Sequence, residues 1–144
     1  MVGLDLSVRC YPAPGQLRDA AHVALIQRLL LRIPPQVKRQ LEAPIRPSDL
    51  RAWDVLMEIG AVRIGVAAET RLRDLQALLR RENRKQADGE IDHLLLLVAD
   101  TRNNRQALLE AGSLVGEAFP LGTRAVMAQL GRGMAIHANG IVIL

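Results

Sequence analysis

The stretch Trp53-Asp54-Val55-Leu56-Met57-Glu58-Ile59, then Gly60-Ala61, then Val62-Arg63-Ile64-Gly65-Val66-Ala67-Ala68 decides the fold. Two apolar-alternating runs flank a two-residue break, which is the spacing of a tight β-hairpin. With Gly60 and Ala61 at the turn, Ile59 faces Val62, Met57 faces Ile64 and Val55 faces Val66, so one side of the ribbon is core. On the other side Glu58 faces Arg63, an opposite-charge cross-strand pair. A slip of one residue would ruin both sides, so the pattern specifies a single register.

Towards the C-terminus, Thr70 to Ala87 carries Leu72, Leu75, Leu78 and Leu79 at helical spacing among arginines and ends at Ala87-Asp88-Gly89. Ile91 to Ala99 is almost continuously apolar, as a strand buried on both faces requires. The strand, helix, strand crossover predicts that its two strands run parallel. Asp100 or Thr101 caps a helix reaching about Glu117; Phe119-Pro120 breaks it, a shorter helix follows over about Thr123 to Gln129, and Ile141 to Leu144 adds a strand. Towards the N-terminus, Val37 to Ile45 alternates weakly, with Pro44 and Pro47 marking an edge or a turn. Gln16 to Ile33 reads as a helix stopped by Pro34-Pro35, and Val2 to Arg9 alternates as a half-buried strand. The expected product is one mixed α/β domain over residues 1–144, in the order helix, strand, strand, strand, helix, strand, with extra C-terminal helices.

A chain of 144 residues fits one domain. Aromatic residues make up only 2%, which argues against a single-strand binder that stacks bases on rings. Cys10 is the sole cysteine, so an internal disulfide and a thiolate metal cluster are both excluded. The longest apolar run, Leu94 to Ala99, is too short to cross a bilayer, and no basic segment followed by an apolar run opens the chain. A cytoplasmic location without membrane attachment is therefore expected. The net charge is +4, and of the 19 basic residues all but Lys38 and Lys85 are arginines. The planar guanidinium fork suits phosphate, so DNA is an expected partner, although a coding sequence rich in G and C produces the same bias.

Strict alternation through the hairpin sets Asp54 opposite Ala67, with Glu69 two residues further along the same side. Both carboxylates are then expected on one face, diagonal to each other and within reach of one cation. Two carboxylates, a backbone carbonyl and water commonly hold Mg²⁺, which supplies hydroxide and stabilises charge on a phosphodiester. Arg71 follows Glu69 by two and reaches the same side if the strand runs on. The ordinary alternative is a surface ion-pair network of Asp54, Glu69, Arg51 and Arg71. Parallel pairing brings Asp100-Thr101-Arg102-Asn103-Asn104-Arg105 to the same sheet end, where Arg102 and Arg105 beside a helix start suit a phosphate; a plain N-cap with solvated arginines is the alternative there. Gln76 and Lys85 on the crossover helix either reach a substrate or belong to a solvated face. His22, His93 and His137 lack ligand spacing, and no serine sits in a nucleophile elbow.

The order helix, strand, strand bearing Asp54, strand ending Glu69-Thr70-Arg71, helix, strand, over roughly Gln16 to Ala99, is similar to the PD-(D/E)XK core of restriction-endonuclease-like nucleases. The resemblance implies Asp54 and Glu69 as metal ligands, Arg71 in the place of the lysine, magnesium as cofactor, and Arg51, Arg73, Gln76, Arg102 and Arg105 towards DNA. It also implies a tendency to form homodimers. Two departures stand out: Trp53, not proline, precedes Asp54, and an arginine cannot serve as a base near neutral pH. A second resemblance covers nearly the whole chain. Gly3 to Ser7, Arg18 to His22, Leu50 to Asp54, Arg63 to Asp74 and Leu95 to Arg105 look like a domain found C-terminal to Xre-type helix-turn-helix repressors of actinobacteria. It implies a DNA-linked regulatory or defence context. The expected function is thus a Mg²⁺-dependent nuclease-like domain, or a non-catalytic regulatory domain of the same fold that binds nucleic acid or a protein.

Overall fold

A computed structural model describes residues 14–144, with side chains from residue 19 onward. The expected strand Val2 to Arg9 lies outside these residues. The described elements are α1 (Pro14–Leu30), β1 (Lys38–Pro44), β2 (Ala52–Ile59), β3 (Val62–Glu69), α2 (Leu75–Asp88), β4 (His93–Val98), α3 (Arg102–Ala111), α4 (Ser113–Ala118), α5 (Thr123–Leu130) and β5 (Gly140–Ile143). They form a mixed α+β fold around one five-stranded sheet, ordered β1-β2-β3-β4-β5. The first three strands each run antiparallel to their neighbour, while β4 and β5 continue parallel to β3.

The hairpin adopts the register that its residues specify: Ile59 pairs with Val62, Glu58 with Arg63, Met57 with Ile64 and Val55 with Val66. Gly60 takes a φ of +60° at the turn, which a glycine adopts without steric cost. Glu58 serves both neighbouring strands, reaching Lys38 Nζ at 3.1 Å and Arg63 Nε at 3.9 Å. In β4 the alternate leucines pack on opposite faces, Leu95 and Leu97 against one core cluster and Leu94, Leu96 and Val98 against the other. Leu25 and Leu29 of α1 and Val126 and Leu130 of α5 cover the first face. Leu78 and Leu79 of α2, with Leu108 of α3 and Leu114 of α4, cover the second.

Two helices differ from expectation. The crossover helix begins at Leu75 rather than Thr70, because Asp74 caps it by accepting from Ala77 N and the backbone before it is held elsewhere. The helix expected to reach Glu117 is two, α3 and α4, broken where Gly112 turns to a φ of +54°.

The sheet also departs from alternation at one place. Val55 and Met57 face α1 and Leu56 faces α2, but Trp53, two residues before Val55, packs with the α2 side. The change of face falls on Asp54. Strand β1 changes with it: Leu41 and the adjacent Glu42 border the same cavity against α1, while Ala43 joins the α2 side. Glu42 has a φ of +49°, a left-handed conformation costing a side-chain-bearing residue about 1–2 kcal/mol. The β1–β2 register is the same on either side of the break, Leu41 with Val55 and Ala43 with Trp53, so both strands turn together. Their far ends fold over the α2 face. There the Trp53 ring covers Gly65, at which an added Cβ would lie 2.6 Å from the indole.

Candidate functional site

Strands β3, β4 and β5 end at one edge of the sheet, at Glu69, Val98 and Ile143. In open sheets of this kind, the crevice outside the carboxyl ends of parallel strands is the usual place for a ligand. Asn104, fully buried in the first turn of α3, organises this edge. Its Oδ1 accepts from Leu72 N at 2.8 Å, and its Nδ2 donates to Thr70 O and Ala99 O, both at 2.9 Å. One side chain thus fastens the loop after β3 to the loop after β4. The helix cap is Thr101, whose Oγ1 accepts from Asn104 N.

The fastened loop borders a cleft of about 420 Å³, with Arg71, Arg73 and Arg81 on its walls beside Glu69. Arg81 donates to Glu69 at 2.7 Å and to Glu82 at 3.0 Å. Partial burial pushes the Glu69 carboxyl above its ordinary value, and the Arg81 guanidinium opposes that shift. Among the described residues, no ion pair within 4 Å involves Arg71, Arg73 or Arg102. Arg105 is tied to Asp100, which holds that carboxyl below its ordinary range.

The residues expected to act together take different partners. Asp54 is directed to α1, its Oδ1 at 2.9 Å from His22 Nε2, and its Oδ2 accepts from Ala68 N at 2.8 Å. Glu69 is directed to α2 through Arg81. The two carboxylates thus take different partners on different helices, and the Asp54 charge is still among the causes that raise the Glu69 carboxyl. The expectation of a common face rested on strict alternation, and alternation is interrupted at Asp54, between Trp53 and Val55. Among the described residues, no three His, Cys, Asp or Glu side chains gather closely enough to hold a metal ion.

Arg51 is also removed from the edge. It pairs with Asp49 at 2.9 Å and with Asp88 at 2.8 Å, and its hydrogen bonds to Asp49 hold that carboxyl far below its ordinary range. Asp88 is the last residue of α2, whose 14 residues span about 20 Å from the arginine loop. Gln76 borders a separate shallow cleft between α2 and α4, with Arg80.

Lys85 is buried, and its Nζ lies 4.6 Å from the centroid of the Trp53 ring and 3.1 Å from Glu82 Oε2. It belongs to an interior charge cluster rather than to a solvated helix face. Three relationships were beyond reach from sequence: His22 with Asp54, Asn104 with two loops, and Glu82 with Lys85 under Trp53. Only the last carries a local signal, the i,i+3 spacing of opposite charges. No protein-family model, curated protein sequence or solved structure matches this chain.

Proposed function

We propose that this domain binds DNA at the carboxyl edge of its parallel strands and works as a non-catalytic regulatory domain rather than as a two-carboxylate nuclease. The observation that carries this reading is the cleft in which Arg71 and Arg73 stand without a carboxylate partner among the described residues, on a loop that Asn104 fastens to α3 and its Arg102. Phosphate contacts of this kind supply affinity without reading sequence. The succession helix, three antiparallel strands, helix, parallel strand supports a restriction-endonuclease-like core. The likeness to domains beside helix-turn-helix repressors supports a setting in which a partner domain supplies sequence recognition. The engagement of Asp54 by His22 and Ala68 N, and of Glu69 by Arg81, favours binding over cleavage.

The test is fluorescence anisotropy with duplex DNA across a salt series, for wild type, Arg71→Ala, Arg73→Ala and Arg51→Ala. Each of the first two substitutions is expected to weaken binding and lower the salt slope by roughly one, while Arg51→Ala leaves the slope unchanged. Plasmid incubated with Mg²⁺ or Mn²⁺ is expected to stay intact. Affinity unaffected by loss of Arg71 and Arg73 would overturn the binding reading. Metal-dependent cutting abolished by Asp54→Ala would restore the nuclease.

A further inference from the structure

On the α1 side, away from the arginine cleft, a cavity of about 460 Å³ opens between α1 and β1. Its chemistry is two-sided. One wall is apolar, formed by Val23, Ile26 and Leu30 of α1 and Leu41 of β1. Val23 and Leu41 are half exposed there, at 50% and 55%, although similar side chains elsewhere in the sheet are buried. The other wall carries Asp19, Glu42 and Asp54 with His22.

The hydrogen bonding of this polar wall defines what it can receive. A carboxylate only accepts, so in the 2.9 Å contact between His22 Nε2 and Asp54 Oδ1 the imidazole is the donor. Asp54 is fixed from behind by Ala68 N–H, which prevents it from turning away. Among the described residues, the polar side chains lining the cavity are the carboxylates of Asp19, Glu42 and Asp54 with His22 and Gln27, and none is a lysine or an arginine. The break in alternation at Glu42 and Asp54 is what turns both carboxylates into this cavity.

The geometry points to a binding site for a small organic cation: a primary ammonium with an alkyl body, its head among Glu42, Asp19 and the His22–Asp54 pair and its chain along the apolar wall. An ammonium offers three donors and no acceptor, the complement of this lining. From Val23 to Leu30 the helix advances about 10 Å, room for a chain of about six carbons. An anion or a neutral alcohol meets repulsion or an incomplete set of donors at the same wall.

The experiment is a ¹H–¹⁵N NMR titration of the full chain with n-hexylammonium, using 1-hexanol and hexanoate as uncharged and anionic controls. Saturable shifts are expected at the Ala68 amide, which reports on Asp54, and at the His22 ring, with no saturable response to either control. Glu42→Gln, which keeps side-chain size, is expected to weaken binding about tenfold. Should that variant lose the native spectrum, Asp19→Asn provides the same reading from the opposite side of the cavity. An unchanged Ala68 amide, an equal response to 1-hexanol, or wild-type affinity in the folded variants would each overturn the proposal.

Discussion

The Asp54 carboxylate accepts the backbone N–H of Ala68 at 2.8 Å, filling with a side chain the place where the β2–β3 ladder would supply a carbonyl. Beyond the pair Val55 with Val66 the strands no longer bond backbone to backbone in register, and this side chain continues the connection. Asp54 is therefore structural first, whatever else it contributes.

That role makes Asp54→Ala a stability variant. Removing the carboxylate leaves the Ala68 N–H without its acceptor in a buried strand, at a cost of about 1–3 kcal/mol. Asp54→Asn retains an oxygen for Ala68 N–H and is expected to recover most of the loss. Urea denaturation of the three proteins measures the difference, and equal midpoints for wild type and Asp54→Ala would remove the role assigned to this bond. His22→Ala breaks only the contact at the half-exposed Oδ1 and is expected to cost less than Asp54→Ala.

The fold was legible wherever neighbouring strands repeat a simple period. The hairpin register followed from six apolar residues and the Glu58–Arg63 pair, and the leucines of β4 announced a strand covered on both faces. The candidate site was much less legible, because its position depends on a departure from that same period. Nothing in Trp53-Asp54-Val55 signals that the strand changes face between Trp53 and Val55. The change follows from the indole lodging over Gly65, a contact between residues 12 apart whose fit depends on three-dimensional shape. His22 lies 32 residues from Asp54 on a helix with no ligand spacing, so the pair exists only once α1 has docked.

Asn104 gives the second prediction. It is fully buried and makes three hydrogen bonds to backbone groups of Thr70, Leu72 and Ala99. Asn104→Ala leaves those groups unpaired and is expected to destabilise the domain by about 3 kcal/mol. Hydrogen exchange at the Leu72 amide should accelerate more than exchange in β4, since the bond lost there is its own. DNA affinity should fall as well, because the loop bearing Arg71 and Arg73 loses its attachment. Wild-type exchange at Leu72 in this variant would show that the loop is held by other means.

The buried charges under Trp53 form a third case. Glu82 is 2% exposed and meets Lys85 Nζ at 3.1 Å in an ion-pair contact rather than an aligned hydrogen bond, and among the described residues Trp53 Nε1 has no hydrogen-bond partner. Glu82 also accepts from Arg81, so Lys85→Met leaves it one partner, whereas Glu82→Leu strands the buried Lys85 ammonium and is expected to cost about 3–5 kcal/mol. The double replacement Glu82→Leu with Lys85→Met removes both charges and is expected to be far closer to wild type than the sum of its parts. A double-mutant cycle in urea measures that coupling. Simple additivity would mean that the two charges do not depend on each other.

Glu69 supplies the pH prediction, and its sign follows from burial. Its carboxyl is raised above the ordinary value of 4.5, with burial as the leading cause and Arg81 opposing it, so the folded protein holds this proton more tightly than the unfolded chain does. Its contribution to stability is complete below the ordinary value and is lost as pH rises from 4.5 through the raised value. Glu69→Gln cannot ionise, so its stability profile should lack that decline just above pH 4.5 while Arg81 keeps an amide oxygen to donate to. Asp49 and Asp100, both lowered by their arginine partners, act in the opposite sense: their contributions are present above the ordinary carboxylate range and disappear as pH falls through their lowered values. The difference between the Glu69→Gln and wild-type profiles isolates Glu69 from these two. A difference that grows towards acid rather than towards neutral pH would reverse the sign assigned to its burial, and would mean that the bond to Arg81 dominates the desolvation of Glu69.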